Sequence, residues 1–143
     1  MTPQELYKKY FLDNSFEREH LWQLFVERFD VRRAIYPGSF IHITASFHIP
    51  YVFYIDTDRQ AKKFFSKSEV VMKMIKKKKV YDETTKYDFL PINYTKKLNL
   101  EKNTFDLMIS QYAGIISQPC KQYLRKGGIL LVNNSHGDAV SFI

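Results

Sequence analysis

The spacing of apolar residues changes character near residue 31. Before it, Leu6, Tyr10 and Phe11, and then Leu21, Trp22, Leu24, Phe25 and Phe29, recur at the interval of amphipathic helices. Pro3 suits a first helical position, Asp13-Asn14-Ser15 interrupts, and Asn14 with Glu17 carries the spacing of a second helix start. Short apolar runs follow. Val31 to Tyr36 predicts a strand closed by the turn Pro37-Gly38. Tyr51 to Ile55 predicts a second, stopped by Asp56-Thr57-Asp58. Tyr87 to Ile92 is a third, and Pro91 assigns it to a sheet edge. Asp106 to Ser110 and Ile129 to Val132 complete the set. Helices are expected over Arg59 to Phe65 and Ser66 to Lys79, the latter with Ser66 and Glu69 in capping-box spacing. A further helix is capped by Ser117, with Pro119 near its start, and ended by Gly127-Gly128. The stretch from Phe40 to Ile49 suits either state: its β-branched residues favour a strand, while Phe40, Ile43 and Phe47 share a helical face.

Strands alternating with helices at this spacing imply a parallel sheet with helices on both faces. In such sheets ligands bind beyond the carboxyl ends of the strands, where the strand order reverses. That brings together four loops: Tyr36 to Ser39, Asp56 to Asp58, Asn93 to Thr95, and Ser110 to Tyr112. With 143 residues the chain has the length of one domain, and 45% apolar with 16% aromatic content excludes wholesale disorder. No apolar run approaches the roughly 20 residues of a bilayer span, so no membrane association is expected. Cys120, the lone cysteine, excludes an internal disulfide framework and a multi-thiolate metal site. No metal is expected, and a reducing cytoplasm fits.

Charge is unevenly placed. Between Arg59 and Lys102 stand 13 Lys and Arg against 5 Asp and Glu, a local balance of +8 in a chain whose net charge is +7. The run Lys76, Lys77, Lys78, Lys79 can complement the negative end of a helix dipole or face a phosphate backbone, and both readings stay open.

One spacing carries the functional argument. Gly38 closes the first strand and Asp56 the second, 56 − 38 = 18 residues later. In nucleotide-binding βαβ units a glycine permits close approach at the first turn, and an acid about 20 positions on accepts hydrogen bonds from a ribose. The second and third glycines of a dinucleotide fingerprint are missing, so a ribose compound without a pyrophosphate fits better.

In order and spacing these motifs resemble class I S-adenosylmethionine-dependent methyltransferases, from about Val31 to Asn134. Ala34-Ile35-Tyr36-Pro37-Gly38-Ser39 stands at the glycine-rich first motif, and Tyr51-Val52-Phe53-Tyr54-Ile55-Asp56 at the second strand with its terminal acid. Phe89-Leu90-Pro91-Ile92-Asn93 is similar to the third strand and Phe105-Asp106-Leu107-Met108-Ile109-Ser110 to the fourth. Leu124-Arg125-Lys126-Gly127-Gly128-Ile129-Leu130-Leu131-Val132 resembles the helix end, paired-glycine turn and fifth strand. The resemblance implies a three-layer Rossmann-like α/β fold: a mostly parallel sheet of about five strands behind a helical lead over residues 1–30. It implies S-adenosylmethionine as cofactor, held by Tyr36, Gly38, Ser39, Asp56, Thr57, Asn93 and Ser110, with Asp56 at the ribose and Asn93 near the adenine amino group. Tyr112 and His136 become candidate catalytic residues, the first able to stack on a planar acceptor beside Gln111, the second able to act as a base. The methyl acceptor is left open.

Departures are also visible. Only Gly38 survives of the first motif's glycines, and the ten or so residues after Val132 are too few for the family's C-terminal helix and strand pair. An unpaired edge, at the fifth strand or at Ala139 to Ile143, would invite a second copy of the chain. His20, His42 and His48 show no metal spacing, and Ser135, His136 and Asp138 lack a nucleophile elbow. The expected function is therefore a methyltransferase-like protein that binds S-adenosylmethionine. The alternatives are a catalytically inactive scaffold of the same fold, or a basic RNA-binding module.

Overall fold

Alternation along the strands decides the layering. In a computed structural model, which describes residues 1–13, 19–110, 117–134 and 137–142, strand β1 (Arg33–Pro37) runs parallel to β2 (Tyr51–Ile55) on one side and to β4 (Phe105–Ser110) on the other. Strand β3 (Lys86–Leu90) lies outside β2, and β5 (Leu124–Asn134) outside β4, both parallel. Strand β6 (Gly137–Phe142) returns antiparallel on β5, giving the order β3-β2-β1-β4-β5-β6. Five parallel strands match the expected sheet, and the antiparallel hairpin strand is added to it. The expectation of Pro91 at an edge also holds, since β3 is the sheet border and Pro91 follows its last residue.

Successive strand residues point to opposite faces. Ala34, Tyr36, Val52, Tyr54, Leu107 and Ile109 face one core, and Ile35, Phe53, Ile55, Phe105 and Met108 the other. The first core is roofed by α1 (Pro3–Tyr7), a π-helical turn (Lys8–Leu12), α2 (Glu19–Phe29), α3 (Ala45–His48), α4 (Arg59–Ser66) and α5 (Ser68–Lys78). Trp22 is wholly buried there. Over the second core lie α6 (Ser117–Cys120), a 3-10 turn (Lys121–Tyr123) and the turns of the β3–β4 connection, which contributes Leu98. Helices thus occupy both faces, unequally. Right-handed crossovers leaving β1 in opposite directions require this division, and the strand order reverses between β1 and β4.

Local chemistry fixes several ends. Thr2 and Glu5 form a reciprocal capping box at 3.1 and 3.2 Å, with Pro3 in the first turn of α1. Asp58 caps α4 by accepting the Gln60 and Ala61 amides. At the foot of the sheet, Asp106 accepts the amides of Arg32 and Arg33 at 2.9 Å each and the Arg125 guanidinium at 2.8 Å.

Two expectations are corrected and one open reading is resolved. The stretch from Phe40 to Ile49 becomes turns and the short α3, with no strand. Helix α5 opens at Lys67 with no side-chain cap, because Ser66 donates its hydroxyl to the Lys63 carbonyl at 2.6 Å and so completes α4. Gly127-Gly128 does not end a helix but lies inside β5, where Phe105 pairs with Leu124 and Leu107 with Ile129. The residues between Leu124 and Ile129 form a bulge, with Gly127 at φ +81°. A Cβ on Gly128 would stand 2.8 Å from the Arg125 carbonyl oxygen. The helix-start spacing of Asn14 and Glu17 lies outside the described residues.

Candidate functional site

The strand order reverses between β1 and β4, where sheets of this kind bind ligands, and the turn after β1 stands at that point. Gly38 sits at φ +69°, in the left-handed region glycine enters without strain, and Phe40 follows at φ +49°. Three successive amides of this turn point toward β2: Gly38 and Ser39 donate to the Ile55 carbonyl at 2.7 and 3.3 Å, and Phe40 donates to Asp56 Oδ2 at 2.7 Å. Asp56 Oδ1 accepts the Asp58 amide at 2.9 Å. The carboxylate is therefore oriented by two backbone donors, one per oxygen, and is half-buried. Each ionised oxygen retains acceptor capacity beyond the amide it holds.

Of the other expected site residues, Tyr36 is wholly buried, with its hydroxyl 2.8 Å from His42 Nδ1. Its ring belongs to the helical-face core, which leaves its backbone nearest the turn. Ser39 is buried and donates its hydroxyl to the Phe40 carbonyl. Thr57 is exposed between Asp56 and Asp58. Asn93 lies past the end of β3, and its side-chain oxygen accepts the Thr95 amide at 2.9 Å and the Thr95 hydroxyl at 2.7 Å. That oxygen is engaged in a local turn. Ser110 is buried at the end of β4. The candidates Tyr112, Gln111 and His136 lie outside the described residues. The structure thus brings Gly38, Ser39, Asp56 and Thr57 together at the ends of β1 and β2.

Pattern reasoning missed the aromatic packing behind this turn. Tyr10 meets Phe40 edge-on at 4.9 Å, and Phe11 stacks on the His42 ring at 4.5 Å. Tyr10 and Phe11 had signalled only a helix face, and nothing in their spacing indicated contact with residues some 30 positions away. The amides that orient Asp56 were equally invisible, since backbone donors leave no mark in a sequence.

The lysine run ends α5 as expected, though not as a uniform surface. Lys78 lies over the rings of Phe47 and Tyr7, at 5.5 and 5.9 Å. Lys79 lies 5.0 Å above Tyr81 and donates to the Glu83 carbonyl. Among the described residues no three His, Cys, Asp or Glu side chains converge as a metal site, and no helix is long and apolar enough to cross a membrane.

No protein-family model and no curated protein matches the chain. Solved structures do. The chain is similar to a proposed S-adenosyl-L-methionine-dependent methyltransferase from Methanococcus maripaludis, with TM-score 0.63 and 11% identity over 91% of this chain and 60% of that one. It is similar to a proposed caffeoyl-CoA O-methyltransferase from Staphylococcus aureus, with TM-score 0.62 and 11% identity over 90% and 65%. The cyclase SpnF also matches, with TM-score 0.55 and 15% identity over 80% and 43%. The chain spans less than two thirds of the length of each. One architecture thus accompanies different named chemistries, as large fold groups do. Strand order, parallel register and these likenesses together show that the chain has the class I S-adenosylmethionine-dependent methyltransferase fold.

Proposed function

We propose that the carboxyl ends of β1, β2 and β4 bind the nucleoside half of S-adenosylmethionine or S-adenosylhomocysteine, with Asp56 accepting hydrogen bonds from the ribose. One observation carries the reading: at the end of β2, beside the Gly38 turn, a carboxylate is held in place by two amides and still has lone pairs to offer. A vicinal diol is the neutral partner that such a two-point acceptor suits. Gly38 and Ser39 would let the ligand approach the backbone, Thr57 and Asn93 would border the ribose and adenine, and Ser110 would face them from β4. Bound S-adenosylmethionine supplies an electrophilic methyl group, so the protein's contribution is chiefly positioning. Tyr112 and His136 are the candidates for orienting an acceptor and removing its proton.

Fit is uneven along the ligand. The Gly38 and Ser39 amides already serve the Ile55 carbonyl, so they are not donors for a methionine carboxylate. Most affinity should then reside in the nucleoside half. Methylthioadenosine is expected to bind within about tenfold of S-adenosylhomocysteine, a difference under about 1.4 kcal/mol. Calorimetry tests this. Heat with S-adenosylhomocysteine in the wild type, weakened at least about tenfold in an Asp56→Asn variant that still unfolds cooperatively above the assay temperature, supports the site. No heat in the wild type overturns it. The spent amides favour a second reading, the same fold kept as a scaffold without cofactor, and that result would select it.

A further inference from the structure

The helical face carries a groove of about 780 Å³ between the α4–α5 junction and the border strand β3, and none of its lining residues belongs to the candidate site. Its apolar lining is Phe65, Met72, Tyr87 and Phe89, with Phe65 stacked on Phe89 at 4.4 Å. Lys62, Lys73 and Lys76, with Glu69 among them, rim the helical side. From residue 59 to 79 the helices carry nine basic residues (Arg59, Lys62, Lys63, Lys67, Lys73, Lys76, Lys77, Lys78 and Lys79) against Glu69 alone.

The opposite wall is a row of backbone groups. Lys86 donates to the Pro50 carbonyl, and the Leu90 carbonyl accepts from Asp56, so Lys86, Asp88 and Leu90 are the β3 residues that bond to β2. Parallel geometry then turns the N–H and C=O of Tyr87 and Phe89 outward, beside the groove. Asp88 directs its carboxylate to the other face, where it accepts the Tyr51 hydroxyl at 2.6 Å.

We propose that this border takes an acidic, extended peptide segment of another protein as an added strand. Main-chain bonds to Tyr87 and Phe89 would hold it, and its groove-side residues, glutamates, would lay their methylene stems on Met72 and Phe89 and carry their carboxylates to Lys62, Lys73 and Lys76. Charge selects this occupant over a second copy. Two β3 strands paired about a two-fold axis through Asp88 would set Asp88 against Asp88 and bring two lysine rims together. A nucleic acid could use the lysines but would leave the outward amide–carbonyl pairs of Tyr87 and Phe89 unused.

Fluorescence anisotropy with a labelled peptide alternating glutamate and valine over about six residues tests the proposal. Expected are binding to the full chain, loss of about tenfold in Lys73→Glu/Lys76→Glu, and slower hydrogen exchange at the Tyr87 and Phe89 amides on saturation. A lysine–valine peptide should not bind, and methylating alternate amides of the glutamate–valine peptide should abolish binding along the edge that meets β3 and leave it along the other. The proposal is overturned by an absence of wild-type binding, by equal binding of the methylated peptides, or by unchanged exchange at Tyr87 and Phe89. Tighter binding of oligouridylate than of the peptide overturns it as well, in favour of a nucleic-acid surface. Both substituted lysines are exposed, and the melting temperature of the double variant confirms that its fold survives.

Discussion

Asp56 illustrates how one side chain can serve fold and ligand together. Its two oxygens each hold an amide, one from the turn after β1 and one from the approach to α4. The same carboxylate therefore staples the Gly38 turn to β2 and offers the ribose contact. Asp56→Ala should cost about 1–3 kcal/mol in urea denaturation, because the Phe40 amide loses its acceptor inside a partly closed turn. Asp56→Asn retains one carbonyl oxygen and should cost less. Equal midpoints for wild type and Asp56→Ala would show that the turn holds itself. The position of this acid was legible, since an aromatic and β-branched strand ending in Asp is a strong local pattern. Its amide partners were not legible. Neither was the burial of Tyr36, whose ring points to the helical core by strand alternation and reaches His42.

Elements followed their local signals where the signal was complete. Strand β2 occupies the five residues its pattern marks, and α4 begins at the cap Asp58 supplies. Where two elements compete for one residue, the spacing misleads. Ser66 has capping-box spacing to Glu69, yet its hydroxyl turns back to the Lys63 carbonyl, because α4 and α5 meet within two residues. Paired glycines likewise suggested a helix end, but they serve a bulge that lets β5 start five residues earlier alongside β4. Gly128→Ala should lower stability by about 1–3 kcal/mol, since the added methyl meets a carbonyl oxygen and the Leu124 side chain with no room to move. A melting temperature unchanged from the wild type would mean that the bulge can shift and is not fixed by close packing.

The whole molecule buries polar groups that only packing can place. Tyr54 is wholly enclosed with its hydroxyl against Ser46, and Tyr81 and Tyr87 are half-buried. Burial raises the pKa of all three above the tyrosine value of 10.0, and that of Tyr51 likewise. Burial also pushes the Cys120 thiol from 9.0 up to about 11. Each group releases its proton at lower pH when unfolded than when folded, so above about pH 9 the unfolded chain binds fewer protons and stability falls as pH rises. The urea midpoint should therefore decline beyond pH 9 and steepen past 10, where the tyrosines join the thiol. A midpoint flat to about pH 11 would contradict this burial. Period, capping residues and turn glycines are local, so they sufficed for an alternating α/β chain, a border strand at Pro91 and an acid at the end of β2. Facing partners are long-range. The Asp56 staple, the rings of Tyr10 and Phe11 behind the first turn, the β5 bulge and the lysine-rimmed groove all join residues well apart along the chain, and no one-dimensional pattern records which side chains and amides folding will bring into contact.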